Sequence, residues 1–321
     1  MKNISPEIIF LSPKKIIQHE MSTQLSVLKV GVNSGQLWEQ LDLVIFLSSF
    51  KDYVLINLAN TGPICIRQQV ITIHDLAVWD AKKYYHPFFV WWYKLLISRL
   101  VKKVLGVFTV SETEKMNITQ RFMLAETQVF VTYNGLASSM IKSSLPLQTG
   151  KDKIILYVGS VVAKKNIDLL VDSFLKSNLS EGYQLYLVGR KGKMMDEVNV
   201  QLDKQIIWLQ DLSDEELVKL YQRAECFVSL SESEGFGIPV LEALYFGCKV
   251  LCADIPVNRE LYNHYAYFCN PKNQKEVLAK MESLPNAQLP TKNQISLLLD
   301  KYNYTSSAYT MLHTLQKICS R

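Results

Sequence analysis

Two glutamates joined by a glycine turn form the segment of this sequence with the clearest chemical potential. Glu234 and Glu242 enclose the run Gly-Phe-Gly-Ile-Pro-Val-Leu, so they stand eight positions apart. The glycines allow a sharp turn, and Pro239 suits the first turn of a helix. Glu234 would then precede the helix and Glu242 would lie about two turns into it, with backbone N–H groups that lack helical partners between them. Amides for a phosphate and carboxylates for hydroxyls suit a nucleotide-sugar.

This segment also has a purely structural interpretation. In that alternative, Glu234 caps the helix and Glu242 forms a surface ion pair. Glu242, however, is flanked by apolar side chains, namely Val240, Leu241, Ala243 and Leu244. Burial of a charged carboxylate among apolar side chains is unfavourable unless another group pairs or hydrogen-bonds with it. We therefore favour the ligand-binding interpretation.

A second group of candidate ligand contacts follows a predicted strand at 154–158. Gly159 allows a tight turn there, and Lys164 and Lys165 come just before a predicted helix at 166–177. Adjacent lysines are often only solvated surface residues. The carboxyl end of a parallel strand, however, carries ligand-binding loops, and a helix N-terminus favours anions. We therefore predict that this lysine pair contacts phosphate.

Two weaker motifs also lie at strand ends. Arg190 follows a predicted strand at 184–188 in the run Val-Gly-Arg-Lys-Gly-Lys, where a loop role and a phosphate contact are equally compatible with the sequence. His74 and Asp75 lie at the end of a predicted strand at 70–74. A lone histidine is usually structural, but a His-Asp pair at a strand tip can orient a sugar hydroxyl or position an acceptor.

The elements that must position these residues are most regular from residue 153 onward. Strands are predicted at 154–158, 184–188, 206–209, 226–230 and 249–253, and helices at 166–177, 213–223 and 238–246. Ser213 and Glu216 have the spacing of a capping box. Continuous apolar strands that alternate with helices indicate a parallel sheet covered on both faces, as in a Rossmann-like domain.

The first half of the chain has a similar but less regular pattern. Strands are predicted at 8–12, 26–30, 53–58, 70–74, 106–110 and 128–132, with a long helix at 88–103. The polar segment 143–153 contains a proline and a glycine and is the best candidate for a linker. The sequence thus predicts an α/β protein with two Rossmann-like domains, at 1–147 and 148–321, whose ligand-binding loops face one another across a cleft.

The long helix carries an unusual mixture of side chains. The stretch 82–103 contains six basic residues and no acidic residue. One arc of its helical wheel is an ordinary apolar core face. The opposite arc mixes cations with aromatic rings and includes Trp91, Trp92, Lys94, Arg99, Lys102 and Lys103. This mixture suits a surface that contacts anionic lipid headgroups, while packing of the tryptophans beneath a neighbouring helix is an equal alternative.

Length and composition exclude several classes of protein. With 321 residues, 48% hydrophobic and 20% charged, the chain resembles ordinary globular proteins of two domains. The net charge of +5 permits nucleotide phosphates or anionic headgroups as partners but does not indicate nucleic-acid binding. The six cysteines lack a zinc spacing, and we expect buried, reduced thiols and no bound metal. With no apolar run of about 18 residues and no signal peptide, the expected location is cytoplasmic, with peripheral membrane contact as an open alternative.

Taken together, these segments resemble the retaining glycosyltransferases of family 4, which share the two-domain architecture called GT-B. Further matching stretches lie at 35–40, 72–77, 109–112, 133–135, 212–221 and 254–257. The resemblance implies a hexosyltransferase that moves a sugar from a nucleotide-diphosphate sugar to a glycan or lipid-linked acceptor, with retention of configuration and without a metal or other cofactor. It also implies a place in the synthesis of a surface polysaccharide, such as O-antigen, capsule or exopolysaccharide.

The resemblance implies roles for individual residues as well. Glu234 would contact the hydroxyls of the donor sugar and Glu242 those of the ribose. Lys165 would neutralise the diphosphate leaving group, and His74 would lie near the transferred sugar. The last helix, at about 303–318, would pack back on the N-terminal domain. With the residues argued above, the predicted donor site comprises Gly159, Lys164, Lys165, Arg190, Glu234, Gly235, Phe236, Gly237 and Glu242.

The chain departs from the family pattern at two places. Lys164 stands where the family usually has arginine, so the charge is kept but the planar fork that suits phosphate is lost. The usual first strand and glycine-rich loop are also not recognisable before residue 8. A non-catalytic subunit that binds a nucleotide-sugar or a partner therefore stays an alternative, and a nucleotide-sugar epimerase of the same architecture is a more distant one.

Overall fold

The computed structural model describes residues 8–15, 25–80, 86–142, 150–190 and 204–319. They belong to two compact units. One contains the residues up to 73 together with 95–108, and the other contains 74–94 together with the residues from 109 onward. The predicted domain boundary between 147 and 148 falls outside the described residues and stays a prediction.

The part of the chain up to residue 142 contains short strands and helices. Its strands are β1 Leu11–Ser12, β2 Leu28–Lys29, β3 Leu55–Asn57, β4 Gln69–Ile73, β5 Gly106–Thr109 and β6 Val129–Val131. Its helices are α1 Gly35–Leu37, α2 Leu43–Leu47, α3 Ala77–Asp80, α4 Pro87–Leu100, α5 Glu112–Phe122 and α6 Ser138–Lys142. A π-helical turn, Trp38–Asp42, joins α1 to α2. The long helix predicted at 88–103 is present as α4 and ends at Leu100.

Most of the strands after residue 150 are longer. The strands are β7 Asp152–Val158, β8 Gln184–Val188, β9 Ile206–Leu209, β10 Ala224–Ser229, β11 Lys249–Ala253 and β12 Tyr267–Cys269. The helices are α7 Ile167–Lys176, α8 Asp214–Arg223, α9 Ile238–Tyr245, α10 Pro256–Tyr262, α11 Gln274–Ser283, α12 Lys292–Lys301 and α13 Tyr304–Cys319. The capping box predicted for α8 is present, since Ser213 accepts from the Glu216 N–H and donates its own N–H to the Glu216 carboxylate.

In the first unit, β3, β4 and β5 lie side by side, and β3 pairs with β4 in parallel. The central strand β4 is buried along its whole length. Its last residue is Ile73, so His74 and Asp75 begin the loop that follows the strand. The sequence placed His74 within the strand, and the structure moves it one residue beyond the end.

The second unit contains a six-stranded sheet in the order β12-β11-β10-β7-β8-β9, with every neighbouring pair parallel. From β7 the chain moves outward through β8 to β9 and then returns to β10 on the other side of β7. In sheets of this kind, ligands bind beyond the carboxyl ends of the strands where the order reverses. That position here is the junction of β7 and β10.

Side chains of the central strand β7 alternate between two buried layers. Ile154 and Leu156 pack in one layer with residues of α8 and α9. Ile155 and Tyr157 pack in the other with residues of α7 and α11. Burial on both faces explains the continuous apolar run of this strand, because neither face meets water.

Candidate active site

A cavity of about 280 Å³ opens at the carboxyl ends of β7 and β10, where the strand order reverses. Eight of the residues singled out from the sequence line it, namely His74, Asp75, Gly159, Lys165, Glu234, Gly235, Phe236 and Gly237. They come from the loops after β4, β7 and β10, so the fold of the second unit brings three separate motifs to one place.

An ion pair between Lys165 and Glu234 lies at the centre of this site. Lys165 ends a single 3₁₀ turn, Ala163–Lys165, in the loop after β7, and Glu234 lies in the loop after β10. The two side chains are only 15% and 20% exposed. Because charges interact more strongly where water is largely excluded, this partial burial strengthens the attraction within the pair.

Backbone contacts fix the relative position of the two loops. The N–H of Glu232 donates to the carbonyl of Lys164 at 3.2 Å. The side-chain amide of Asn166 donates to the carbonyl of Leu230 at 2.9 Å. Asn166 has a φ of 53°, a left-handed conformation that asparagine tolerates better than most residues. The loop that carries Lys165 and the loop that carries Glu234 are thus held together by contacts other than the ion pair.

The glycine turn brings the loop after β10 against the loop after β4. A Cβ atom added to Gly235 would lie 1.7 Å from the carbonyl oxygen of His74, so only glycine permits this approach. Gly237 has a φ of 77° at the N-cap of α9, and Pro239 follows in the first turn. The predicted turn that opens a helix is therefore present, and it also positions His74 in the cavity wall.

Glu242 lies in α9 and is half-buried, with one carboxylate oxygen accepting a hydrogen bond from the Tyr221 hydroxyl at 2.8 Å. Burial raises the pKa of Glu242, while the Tyr221 hydrogen bond lowers it and the charge of Asp214 raises it. Glu242 makes no salt bridge with any residue that the structure describes, and the surface ion pair stays an untested alternative. Glu242 is not among the residues that line the cavity.

Tyr221→Phe is expected to make nucleotide binding more sensitive to acid. Without the hydroxyl, the pKa of Glu242 rises further, so its carboxylate becomes protonated at a higher pH. If the Glu242 carboxylate accepts hydrogen bonds from ribose, nucleotide binding would weaken at a higher pH in this variant than in the parent protein. Affinity for nucleoside diphosphates should be measured by calorimetry between about pH 5 and 8. Tyr309→Phe, at a site that is 71% exposed, is the control. Identical pH profiles for Tyr221→Phe and the parent would exclude this role.

Besides Glu242, two further predicted donor-binding residues lie outside the cavity lining. Arg190 forms an ion pair with Asp211, and their side chains are 75% and 58% exposed. Lys164 is half-buried beside Lys165, and its backbone carbonyl takes part in the loop contact with Glu232. Contact of either side chain with a ligand stays a prediction. The lysines that follow Arg190, at 191 and 193, are outside the described residues.

Some cavity residues received no role from sequence reasoning. They are Val110, Asn134, Tyr157, Val158, Ser229, Ile238, Pro239 and Val240. Tyr157 donates to the carbonyl of Ser160 at 2.9 Å, and burial raises its pKa, so it supports the turn at Gly159 as a neutral group. Asn134 carries a usable signal, since it stands in the Tyr-Asn-Gly motif after a predicted strand.

The helix α4 buries the apolar face expected from its sequence, with Leu96, Ile97 and Leu100 inside. Phe88 and Trp91 are 67% and 57% exposed. The remaining members of the predicted membrane-contact set differ in exposure. Trp92 and Lys94 are half-buried, and Arg99, Lys102 and Lys103 are exposed.

The ring of Trp79 accounts for the partial burial of Lys94, whose ammonium nitrogen lies 5.7 Å from the ring centre. Trp92 contacts Trp91, with ring centres 6.5 Å apart. The basic residues at 82 and 83 lie outside the described residues.

Metal and membrane features can be stated for the described residues. Across the described ranges, no group of three His, Cys, Asp or Glu side chains could hold a metal ion. Within the same part of the chain, no helix combines the length and the apolar character needed to cross a membrane.

Solved structures with similar folds define the class of protein. The structure of Alr3699/HepE from Anabaena, in complex with UDP and glucose, matches with a TM-score of 0.66 at 14% identity, covering 92% of this chain and 88% of that one. Such neighbours have the GT-B fold, so the predicted fold class is confirmed.

Sequence comparisons define the family. Residues 143–296 match the family model described as "Glycosyl transferases group 1". The chain is 32% identical over 254 residues to the O-antigen chain mannosyltransferase RfbU of Salmonella typhimurium, covering 73% of this chain and 69% of that protein. It is 26% identical over 249 residues to O-antigen chain mannosyltransferase B of Escherichia coli, covering 73% and 65%. This chain belongs to the group 1 glycosyltransferases.

Proposed function

We propose that this chain transfers a hexose from a nucleotide-diphosphate sugar to a glycan or lipid-linked acceptor, with retention of configuration, during synthesis of a surface polysaccharide. The observation that carries the proposal is the Lys165–Glu234 ion pair in a cavity at the reversal point of a parallel sheet. A cation, an acid and a glycine turn at the start of a helix are the groups that a sugar diphosphate requires.

The chemistry follows from the charges that develop during transfer. An acceptor hydroxyl replaces the diphosphate at the anomeric carbon, and negative charge accumulates on the departing diphosphate. Lys165 and the backbone N–H groups at the start of α9 stabilise that charge. Glu234 accepts hydrogen bonds from sugar hydroxyls, and His74, which lines the same cavity, contacts the transferred sugar. These roles use no bound metal.

Mannose is the proposed hexose, and O-antigen is the proposed class of product. The support comes from the relatives RfbU and mannosyltransferase B, both of which are named as O-antigen chain mannosyltransferases. We propose a cytoplasmic location, because the nucleotide-sugar donor is available there.

Release of free nucleoside diphosphate tests the proposed function. The purified chain is incubated with a panel of nucleotide-diphosphate sugars, with and without a membrane extract as the source of acceptor. We expect release with a mannosyl donor that depends on the acceptor, and a fall of about 10- to 100-fold in Glu234→Gln, because hydrogen bonds to a charged group are lost. Glu232→Gln, two positions away with an exposed side chain, is the matched control.

The products separate the competing functions. An anomeric linkage of the same configuration as in the donor supports retention, and the opposite configuration overturns it. Nucleotide-sugar binding without turnover overturns the enzyme and favours a non-catalytic subunit. Conversion of the nucleotide-sugar to an epimer, without formation of a glycosylated acceptor, would indicate an epimerase.

We also propose peripheral contact between α4 and an anionic membrane surface. Phe88 and Trp91 supply exposed aromatic area near the N-terminal end of this helix. Arg99 lies towards its C-terminal end, and Lys102 and Lys103 follow it, all exposed. Aromatic rings insert at the level of the headgroups, and cations add attraction to anionic lipids.

Flotation with anionic vesicles tests this contact. The Phe88→Ala/Trp91→Ala double variant is expected to float about ten-fold less than the parent, because two insertable rings are removed. Tyr309→Ala removes an equally exposed ring from α13 and serves as the control. Equal flotation of the parent and the double variant would exclude α4 as the contact.

A further inference from the structure

Asn134 lines the cavity but has no part in the mechanism proposed above. It lies in the loop after β6, is half-buried, and its carboxamide forms no hydrogen bond within the part of the chain that the structure describes. A carboxamide has two N–H donors and an acceptor oxygen. This side chain therefore brings unused hydrogen-bonding capacity to the same cavity as Glu234.

The backbone on both sides of Asn134 is fixed by the C-terminal segment. Before it, the carbonyl of Tyr133 accepts a hydrogen bond from the hydroxyl of Ser307. After it, Gly135 packs so closely that an added Cβ would lie 2.6 Å from the Cα of Asn303. Asn134 is thus held at both neighbours, which leaves only its side chain to adjust.

The same segment also supports the loop that carries Glu234. Tyr302, between α12 and α13, is 1% exposed. Its ring centre lies 5.0 Å from that of Tyr133 and 5.4 Å from that of Phe236, with edge-to-face geometry in both cases. One buried ring therefore separates and supports the loop of Asn134 and the loop of Glu234.

We propose that Asn134 is a further substrate-contacting residue, which hydrogen-bonds a hydroxyl of the sugar held in the cavity. The inference rests on the proposed function, because it takes the occupant to be the sugar of a nucleotide-sugar. A neutral carboxamide leaves the Lys165–Glu234 pair undisturbed while it distinguishes sugars by the positions of their hydroxyls. Because its backbone is already fixed, little ordering is needed on binding.

Asn134→Ala tests the proposal through a difference between sugar and nucleotide. We expect kcat/KM for the nucleotide-sugar to fall about ten-fold, the effect of losing one hydrogen bond to an uncharged hydroxyl. The affinity for the nucleoside diphosphate alone, measured by calorimetry, should not change, because that ligand has no transferred sugar. Ser307→Ala should lower kcat/KM by a smaller factor and leave the nucleoside diphosphate affinity unchanged, since it only loosens the loop that carries Asn134.

The controls separate the possible failures. Asn293→Ala, at an exposed position of α12, should match the parent in both measurements. An Asn134→Ala variant with unchanged kcat/KM, or one that loses sugar and nucleotide binding equally, overturns the assignment. A loss confined to the KM of the acceptor also overturns it. If the parent itself releases no nucleoside diphosphate, the proposed function has failed instead.

Discussion

Lys165→Met is expected to lower the rate of sugar transfer by about 100- to 1000-fold, the range found when a preorganised group that stabilises transition-state charge is removed. Lys165 is 15% exposed, so its charge acts where water screens little. The substitution removes the cation proposed to stabilise the departing diphosphate. It also leaves Glu234 without the cation that pairs with it in this structure.

Steady-state rates and calorimetry check this prediction together. Transfer and nucleoside diphosphate affinity should both fall, since in the proposed function the lysine contacts the diphosphate before and during transfer. Lys176→Met removes a lysine that is 59% exposed and pairs with Asp172 at the surface of α7, and it should leave both quantities unchanged. A Lys165→Met protein that retains transfer within a few-fold of the parent would remove this residue from the mechanism.

Gly235→Ala is expected to abolish detectable transfer although it adds a single methyl group. The added Cβ would lie 1.7 Å from the carbonyl oxygen of His74. The backbone of residue 235 fixes the position of the Cβ, and the oxygen belongs to the backbone of His74, so no side-chain rotation can relieve the clash. The two loops must separate, which moves His74 and Glu234 out of their shared cavity. Overpacking of this kind costs about 1–3 kcal/mol of folding free energy.

The matched substitution is Gly182→Ala. At that position the nearest atom to an added Cβ is the flexible Lys153 ammonium at 3.9 Å, and φ is −140°, so alanine fits. Urea unfolding and transfer assays on both variants give the comparison. Normal activity in Gly235→Ala would mean that the close approach of the two backbones is not needed for the site.

The regular half of the fold was predictable because its strands are buried on both faces. The strands predicted at 184–188, 206–209 and 249–253 coincide with β8, β9 and β11. Continuous apolar runs bounded by turn residues leave little ambiguity about where such strands begin and end. The strand predicted at 8–12 is only Leu11–Ser12: residues 8–11 are also a continuous apolar run, but Ile8, Ile9 and Phe10 are exposed and not buried on both faces.

The site was predictable in its residue types but not in its contacts. Lys165 and Glu234 each follow a strand in a recognisable motif, yet they are 69 positions apart, and only the sheet order makes them partners. The segment Gly-Arg-Lys-Gly-Lys after β8 was equally compatible with a phosphate contact and with a purely structural loop role for Arg190. Its pairing with Asp211, across 21 positions, depends on a second loop that carries no motif.

The support that Tyr302 and Ser307 provide to the cavity has a consequence for protein synthesis. Ribosomes make the chain from its N-terminus, so the motifs at Lys165 and Glu234 are complete long before these two residues exist. A nascent chain that ends before position 302 lacks the ring between the two cavity loops and the hydroxyl that holds Tyr133. In the proposed function, binding of the sugar therefore has to await synthesis of residues 302–307, even though the residues proposed to contact it are translated earlier.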